Sequence, residues 1–279
     1  DLTAFDYKKY IGTDQVIVEV NGKKFTAKDL YVLVIKQMIE EAETDLDKKI
    51  KGMVIPVPAS YTDAQKKEVI EAGKLAGLQH VFLVLEPVAP FFNYGVGKKL
   101  KGTVCNLDLG GYTFDIAVAK VNKKQIDVTY VDGDKNCGGN NFTQALVDYV
   151  KEKYVQNQTM STYDEQQLIQ NVEQAKITLS KKAKTRIFVS TEEGNQSISI
   201  TQEEFKECTK HLMKPIREKL EKLKNMGIQT IYLVGGSSKM LQFQELVKEM
   251  FSNIPIICED PEGAVVKGAA VYAQILYEG

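Results

Sequence analysis

The sequence has few of the residues that hold zinc or build a disulfide framework. Its 279 residues contain no tryptophan, two histidines and four cysteines. These histidines and cysteines are His80, His211, Cys105, Cys137, Cys208 and Cys258. The cysteines lie far apart and form no close pair, so the spacing does not fit a zinc site. Free thiols in a reducing compartment are favoured over disulfides.

The sequence also lacks an excess of charge of one sign and a long apolar run. Lys and Arg number 36 against 37 Asp and Glu, which gives a net charge of −1. This balance gives no reason to expect nucleic acid or an anionic membrane as a partner. The apolar runs are far shorter than the roughly 20 residues that cross a bilayer. Because Asp1 is not a methionine, we expect the chain to begin inside a longer protein, and a cleaved signal is left open.

What the chain does have is a globular composition, 43% hydrophobic, and a regular alternation of strands and helices. Strands are predicted near 16–20, 52–57, 81–85, 103–109, 113–121, 125–131, 185–191, 197–200, 231–234 and 255–258. Helices are predicted near 27–45, 63–76, 140–154, 164–180, 202–224, 240–251 and 261–276. The alternation indicates an α/β fold with a largely parallel sheet, to which the strands of 103–131 add an antiparallel meander.

Local signals fix several of these boundaries. Asn21-Gly22 suits the tight turn of a hairpin, and Asn122-Lys123-Lys124 is a plausible turn between two strands. Thr62 with Gln65, and Thr201 with Glu204, have the spacing of capping boxes at helix starts. We expect a bend at Pro215.

The segment Asn106–Asp115 carries the sharpest chemical signal. Two strands meet at Gly110-Gly111, with Asp108 before the turn and Asp115 after it. Glycines let backbone N–H groups approach phosphate oxygens, and flanking carboxylates can hold a hydrated Mg²⁺. Thr113 adds a hydroxyl and an N–H. Taken alone, the segment is equally well interpreted as a tight turn with solvated acids.

Two further turns are weaker signals. Gly235-Gly236-Ser237-Ser238 follows a buried strand and precedes a helix, which suits a phosphate or a nucleoside but is also typical of an ordinary loop with a serine cap. Glu86 ends a strand where open sheets bind ligands, although a surface acid before a turn is the commoner explanation.

Taken together, seven segments in one order resemble the nucleotide-binding domain of the 70-kilodalton heat-shock chaperone family. They are Ile55–Gln65, Ala72–Leu78, Glu86-Pro87 with Tyr94-Gly95, Asp108–Asp115, Glu173–Lys176, Leu233–Ser237 and Gly268–Ala270. The resemblance covers nearly the whole chain. It implies an α/β fold of the actin-like, two-lobed ATPase type, with ribonuclease H-like lobes.

The resemblance also implies a domain division. Residues 1–97 are expected to form an incomplete first lobe, with 261–279 packing back onto it. Residues 98–260 are expected to form the second lobe, including a smaller helical and strand subdomain at about 138–210. The family's first phosphate hairpin and its catalytic lysine are expected before residue 1, and a peptide-binding domain after Gly279.

Carried over residue by residue, the resemblance implies a site for ATP or ADP with Mg²⁺. Catalytic roles fall on Glu86, Asp108, Thr113 and Asp115, and Asp108 and Asp115 would hold Mg²⁺ through water. Nucleotide contacts fall on Gly110, Gly111, Tyr112, Gly138, Gly139, Glu173, Lys176, Ser180, Gly235, Gly236, Ser237, Lys239 and Glu262. Pro58 and Lys66 stand where the family relays the nucleotide state.

The chain departs from the family pattern at four of its positions. Tyr112 replaces a glycine of the phosphate hairpin, where its ring either crowds the γ-phosphate or points outward. Ile177 stands where an arginine stacks on adenine, Lys239 replaces a second arginine, and Glu262 replaces an aspartate.

The leading interpretation is the ATP-binding domain of a chaperone that couples nucleotide state to peptide binding. The family implies unfolded or nascent polypeptides, a J-domain co-chaperone and a nucleotide exchange factor as partners, ATP hydrolysis, and a cytoplasmic location. One alternative is a nucleotide-binding co-chaperone, an exchange factor or a ribosome-associated protein with little hydrolysis. Another is a small-molecule kinase of the same fold, for which residues 1–97 offer no substrate base.

Overall fold

The structure, a computed structural model, describes residues 7–95, 101–122 and 125–278. The first part of the chain forms a hairpin and two short α/β repeats. Its elements are β1 (Val16–Val20), β2 (Lys23–Thr26), α1 (Ala27–Leu46), β3 (Gly52–Val57), α2 (Asp63–Leu75), β4 (His80–Leu85) and α3 (Ala89–Gly95). A 3₁₀ turn, Tyr7–Tyr10, precedes them. Helix α3 was not predicted, because seven residues are too few to display a helical period.

The second part contains the larger sheet and most of the helices. Its first half is β5 (Gly102–Leu109), β6 (Phe114–Val121), β7 (Ile126–Asp134), α4 (Gly139–Tyr154), α5 (Thr162–Leu179), β8 (Lys184–Thr191) and β9 (Gly194–Thr201). Its second half is α6 (Gln202–Glu221), β10 (Thr230–Val234), α7 (Leu241–Met250), β11 (Ile256–Ile257) and α8 (Ala264–Glu278). Pro215 lies inside α6 without ending it.

The main sheet has five strands in the order β11-β10-β5-β6-β7. Strands β11, β10 and β5 are parallel, whereas β5, β6 and β7 form the predicted antiparallel meander. The sheet is therefore mixed rather than largely parallel. In the first part, β3 and β4 pair in parallel. In the second part, β8 pairs with β9 as a separate antiparallel hairpin.

The two faces of the main sheet are both covered. Leu107, Leu109 and Phe114 point into a large core built with α4, α5, α6 and α7. On the opposite face, Val104 and Val234 pack against residues of α3 and α8. Helix α8 also contacts β3, so it lies between the large sheet and the first part of the chain. The division at 97 and 260 stays a prediction.

The local signals explain the element boundaries. Thr62 and Thr201 both form capping boxes, with Gln65 and Glu204 as their partners. Asn21 and Gly22 have φ values of 50° and 76°, as a tight primed turn requires. Of the predicted turn at 122–124, Lys123 and Lys124 lie outside the described residues.

The sequence led to expectations about the cysteines and about membrane-spanning segments. All four cysteines are free, and Cys105 and Cys137 are buried. Among residues 7–95, 101–122 and 125–278, no helix combines the length and apolar character needed to span a membrane.

Candidate nucleotide site

The predicted phosphate hairpin joins β5 to β6. Asp108 and Asp115 are directly paired in the antiparallel register, so both carboxylates project from the same face of the sheet. The turn is closed by a hydrogen bond from the Gly110 amide to the Thr113 carbonyl, at 3.0 Å. The hairpin therefore presents two acids beside a glycine turn.

Glu86, at the end of β4, joins these two acids in one electrostatic group. Burial raises the pKa of Glu86 to about 7 and that of Asp115 to about 6, and it raises the pKa of Asp108 well above its usual range. The negative charge of Asp115 raises the pKa of both other acids further. Desolvation and the influence of like charges at these three acids favour a nearby cation or a proton.

Asp115 has one satisfied and one unsatisfied oxygen. The Ala59 amide, in the loop after β3, donates to Asp115 Oδ1 at 3.2 Å, and the Thr113 side chain also hydrogen bonds to this carboxylate. Asp115 Oδ2 is buried and has no hydrogen-bond partner within the described chain. A buried carboxylate oxygen without a donor indicates that a ligand or ordered water completes the site.

Lys8 is a functional candidate that the sequence analysis missed. Its ammonium lowers the pKa of Glu86, against the effect of burial, so its positive charge is near enough to act on this acid. The Lys8 carbonyl accepts a hydrogen bond from the Tyr61 hydroxyl at 3.1 Å, which ties the 3₁₀ turn to the loop after β3. The expectation that the family's catalytic lysine lies before residue 1 stays a prediction, and Lys8 is a cation of this chain that acts on Glu86.

The N-terminus of α4 lies directly on the hairpin. The amides of Gly139 and Asn140 donate to the carbonyls of Gly110 and Gly111 at 2.9 and 2.8 Å. A Cβ at Gly138 would lie 2.3 Å from the carbonyl carbon of Tyr112, so only glycine permits this approach. The Gly138-Gly139 pair thus belongs to the same site as the hairpin.

A buried lysine continues the site along α5. Lys176 Nζ contacts the Gly139 carbonyl and Thr143 Oγ1, each at 2.9 Å, and Glu173 at 2.8 Å. The Thr143 hydroxyl also donates to Glu173. Burial lowers the pKa of Lys176, and the ion pair with Glu173 opposes that shift. Ser180 donates to the Lys176 carbonyl at 3.2 Å, so its hydroxyl is held on the last turn of this helix.

Thr143 is a second residue of this site that was not predicted from the sequence. It lies one turn after Gly139 on α4, and this i, i+4 spacing to a glycine of the site was the available signal.

The turn after β10 lies against the hairpin from the other side. Gly235 has a φ of 81°, and a Cβ there would lie 2.4 Å from the Leu109 carbonyl oxygen and 2.5 Å from Asp108 Oδ1. Ser237 Oγ would be 2.1 Å from a Cβ at Gly139, so Ser237 packs against the start of α4. The three glycine turns, at 110–111, 138–139 and 235–236, therefore converge on one place.

Lys239 and Glu262 lie beside the turn after β10. Their side chains make an ion pair at 2.9 Å, in which Lys239 is partly exposed and Glu262 is exposed. A Cβ at Gly236 would lie 3.3 Å from Glu262 Oε1, so the pair stands beside the turn. The two substitutions noted in the sequence thus occur as an interacting pair.

Tyr112 is turned toward the first part of the chain. Its ring lies 4.9 Å from Lys9 Nζ, in cation–π contact, and the side chain is half-buried. The contact links the phosphate hairpin to the 3₁₀ turn that carries Lys8. Whether the ring crowds a γ-phosphate stays a prediction.

Within the described ranges, no group of three or more His, Cys, Asp or Glu side chains is arranged so that it could hold a metal ion.

These two α/β parts, with three glycine turns beside Asp108, form an actin-like ATPase fold, as the family comparison supports. The family described as Hsp70 protein matches residues 2–279. The chain therefore belongs to the Hsp70 family, and the predicted family and fold are confirmed.

Curated relatives give the same result. The chain is 32% identical to a "Chaperone protein DnaK" of Thermus thermophilus, over 97% of the chain and 47% of that protein. It is 32% identical to the DnaK of Thermosipho melanesiensis, over 99% of the chain and 49% of that protein. The chain thus spans about half the length of the curated relatives it matches. This homology supports the chaperone ATP-binding domain and does not favour the co-chaperone alternative.

Proposed function

We propose that this chain binds ATP or ADP with Mg²⁺ in the cleft and serves as the nucleotide-binding domain of a chaperone ATPase. One observation carries the proposal. Three glycine turns converge beside Asp108 and Asp115, and a buried oxygen of Asp115 has no partner among the described residues. Such glycine turns let backbone amides reach phosphate oxygens.

The acids of the hairpin fit a hydrated magnesium ion. Mg²⁺ prefers oxygen ligands and keeps several of its waters, so a carboxylate oxygen that lacks a donor suits a water of its shell. Asp108 and Asp115 would hold the ion through water. When bound, the ion neutralises charge on the phosphates.

The remaining residues have proposed roles along the length of the nucleotide. Gly110, Gly111 and Thr113 contact the phosphates, with Tyr112 at their edge. The nucleoside is contacted by Lys176, Glu173 and Ser180. The backbone can approach the nucleotide at Gly138, Gly139, Gly235, Gly236 and Ser237. The adenosine end is bordered by Lys239 and Glu262. Lys8 and Glu86 face the terminal phosphate, where a cation stabilises charge and an acid orients the attacking water.

The activity of the longer protein is proposed from the family. We propose that it hydrolyses ATP to ADP and phosphate and couples the nucleotide state to the binding of unfolded or nascent polypeptides. A J-domain co-chaperone and a nucleotide exchange factor are its proposed partners. We propose a cytoplasmic location and a role in the stress response, which the free cysteines suit.

Asp108→Asn tests the nucleotide site. Loss of the charge should weaken Mg-dependent ADP binding by about 1–3 kcal/mol, the scale of a charge-assisted contact. Calorimetry with Mg²⁺ and with EDTA measures it. Asp127→Asn, which changes an exposed acid on β7, is the matched control and should leave both affinities unchanged. Unchanged Mg-ADP affinity in Asp108→Asn would contradict the proposal.

Ile177→Arg tests where adenine lies. Ile177 follows Lys176 on α5 and is 48% exposed, so a longer side chain has room there. An arginine offers a planar cation over the base and should tighten ADP binding by up to about 1–2 kcal/mol. Ile169→Arg, on the same helix and 44% exposed, controls for the added charge. Equal ADP affinity in the two variants would place the base elsewhere.

A further inference from the structure

Asn106 is a buried amide on the face of the main sheet that packs against α3 and α8. Its side chain is 0% exposed. It lies on the face of β5 that also carries Val104, and its register neighbours are Ala117 of β6 and Tyr232 of β10. An aliphatic side chain would fill this place without burying any polar atom, so the amide calls for an explanation.

The nitrogen of this amide makes a hydrogen bond, whereas its oxygen makes none with the described residues. Asn106 Nδ2 donates to the Pro87 carbonyl at 2.9 Å, whereas Oδ1 is buried and accepts no hydrogen bond within the described part of the chain. A half-satisfied buried amide is unfavourable compared with an apolar residue. Among the residues that the structure describes, the bond to Pro87 is therefore the contact that favours asparagine here.

Pro87 directly follows Glu86, and the turn is held from both sides. The Glu86 amide donates to the Val57 carbonyl of β3 at 2.8 Å, which fixes the turn to the smaller sheet. The Asn106 bond fixes the next carbonyl to the larger sheet. Asp108 lies two residues after Asn106 on the same face of β5. One strand thus carries Asp108 and also holds the turn that carries Glu86.

We infer that Asn106 is a positioning residue, which sets the distance between Glu86 and Asp108 across the cleft. The inference rests on the proposed function, because it assigns a role toward the nucleotide and its metal. Asn106 itself touches neither. Its effect passes through the Pro87 carbonyl and the backbone of Glu86.

Two apolar variants separate positioning from packing. Asn106→Val and Asn106→Leu both remove the donor and the unpartnered oxygen, but they differ in volume. Thr209→Val is the matched control, because Thr209 is equally buried and its hydroxyl donates to the Phe205 carbonyl on α6. All are made in the protein of natural length.

The main readout is the ADP dissociation constant in EDTA divided by the ADP dissociation constant in Mg²⁺. Measuring this ratio does not require ATP hydrolysis. We expect both Asn106 variants to keep their Mg-free ADP affinity and to lower this ratio several-fold. Single-turnover ATP hydrolysis should slow by about 10- to 100-fold, the scale of a small misplacement of a reacting group. Thr209→Val should change neither quantity.

Several outcomes would overturn the inference. The ratio and the rate could equal those of the wild type, or the affinity could fall equally with and without Mg²⁺. A loss in only one variant would follow volume rather than the donor, and failure of both to fold would assign the amide to stability. Wild-type ADP binding is measured first. If it is absent, the proposed function itself fails; if it is present and the variants match it, only this inference fails.

Discussion

Lys8→Met should slow ATP hydrolysis by about 10²–10³-fold, the usual effect of removing one pre-organised charge stabiliser. Lys8 lowers the pKa of Glu86, which burial raises to about 7, so the positive charge of Lys8 acts on this acid. Phosphoryl transfer depends mostly on positioning and on stabilising charge at the γ-phosphate. Methionine keeps most of the side-chain length and removes the charge. Single-turnover hydrolysis by the protein of natural length measures the effect, and ADP affinity should change little.

Lys9→Met is the matched control, because it removes the neighbouring charge from the same 3₁₀ turn. The Lys9 ammonium lies over the Tyr112 ring, a contact worth about 0.5–1 kcal/mol at an exposed site. We therefore expect only a small change in rate. Equal losses in the two variants would show that general positive charge matters rather than the position of Lys8. An unchanged rate in Lys8→Met would contradict its proposed role.

The sequence was sufficient to predict those features of the fold that depend on residues close together in the chain. Thr62 and Thr201 cap their helices through residues three positions on, and Asn21-Gly22 closes its turn with its own backbone. The acids of the hairpin were found because Asp108 and Asp115 flank two glycines. Each of these signals lies within about ten residues, and no tertiary contact is needed to recognise it.

The features that the sequence did not reveal depend on contacts between distant segments. Lys8 has no local pattern that separates it from Lys9, and its importance comes from Glu86, which lies on another element. Asn106 was part of the recognised hairpin segment, yet its bond to Pro87 becomes visible only when β5 is placed beside the turn after β4. The orientation of Tyr112, left open by the sequence, depends likewise on its contact with Lys9.

Gly235→Ala should destabilise the domain by about 2–5 kcal/mol, because strain at a positive φ adds to overpacking. The φ of Gly235 is 81°, and its new Cβ would lie 2.4 Å from the Leu109 carbonyl oxygen. The same Cβ would lie 2.5 Å from Asp108 Oδ1, so the backbone of the hairpin and the carboxylate must both shift. We therefore expect Mg-ADP binding to weaken by about 100-fold, as a misplaced catalytic group suggests. Chemical denaturation and calorimetry measure the two effects.

Gly227→Ala separates the two causes. Gly227 also has a positive φ, 66°, but a Cβ there would meet nothing within 4 Å. Its substitution should therefore lower the free energy of unfolding by about 1–2 kcal/mol, the strain of the left-handed conformation alone, and leave Mg-ADP affinity unchanged. If Gly235→Ala had only the effect of Gly227→Ala, the turn after β10 would accommodate a Cβ without displacing the hairpin. The close approach of this turn to Asp108 would then not be what shapes the nucleotide site.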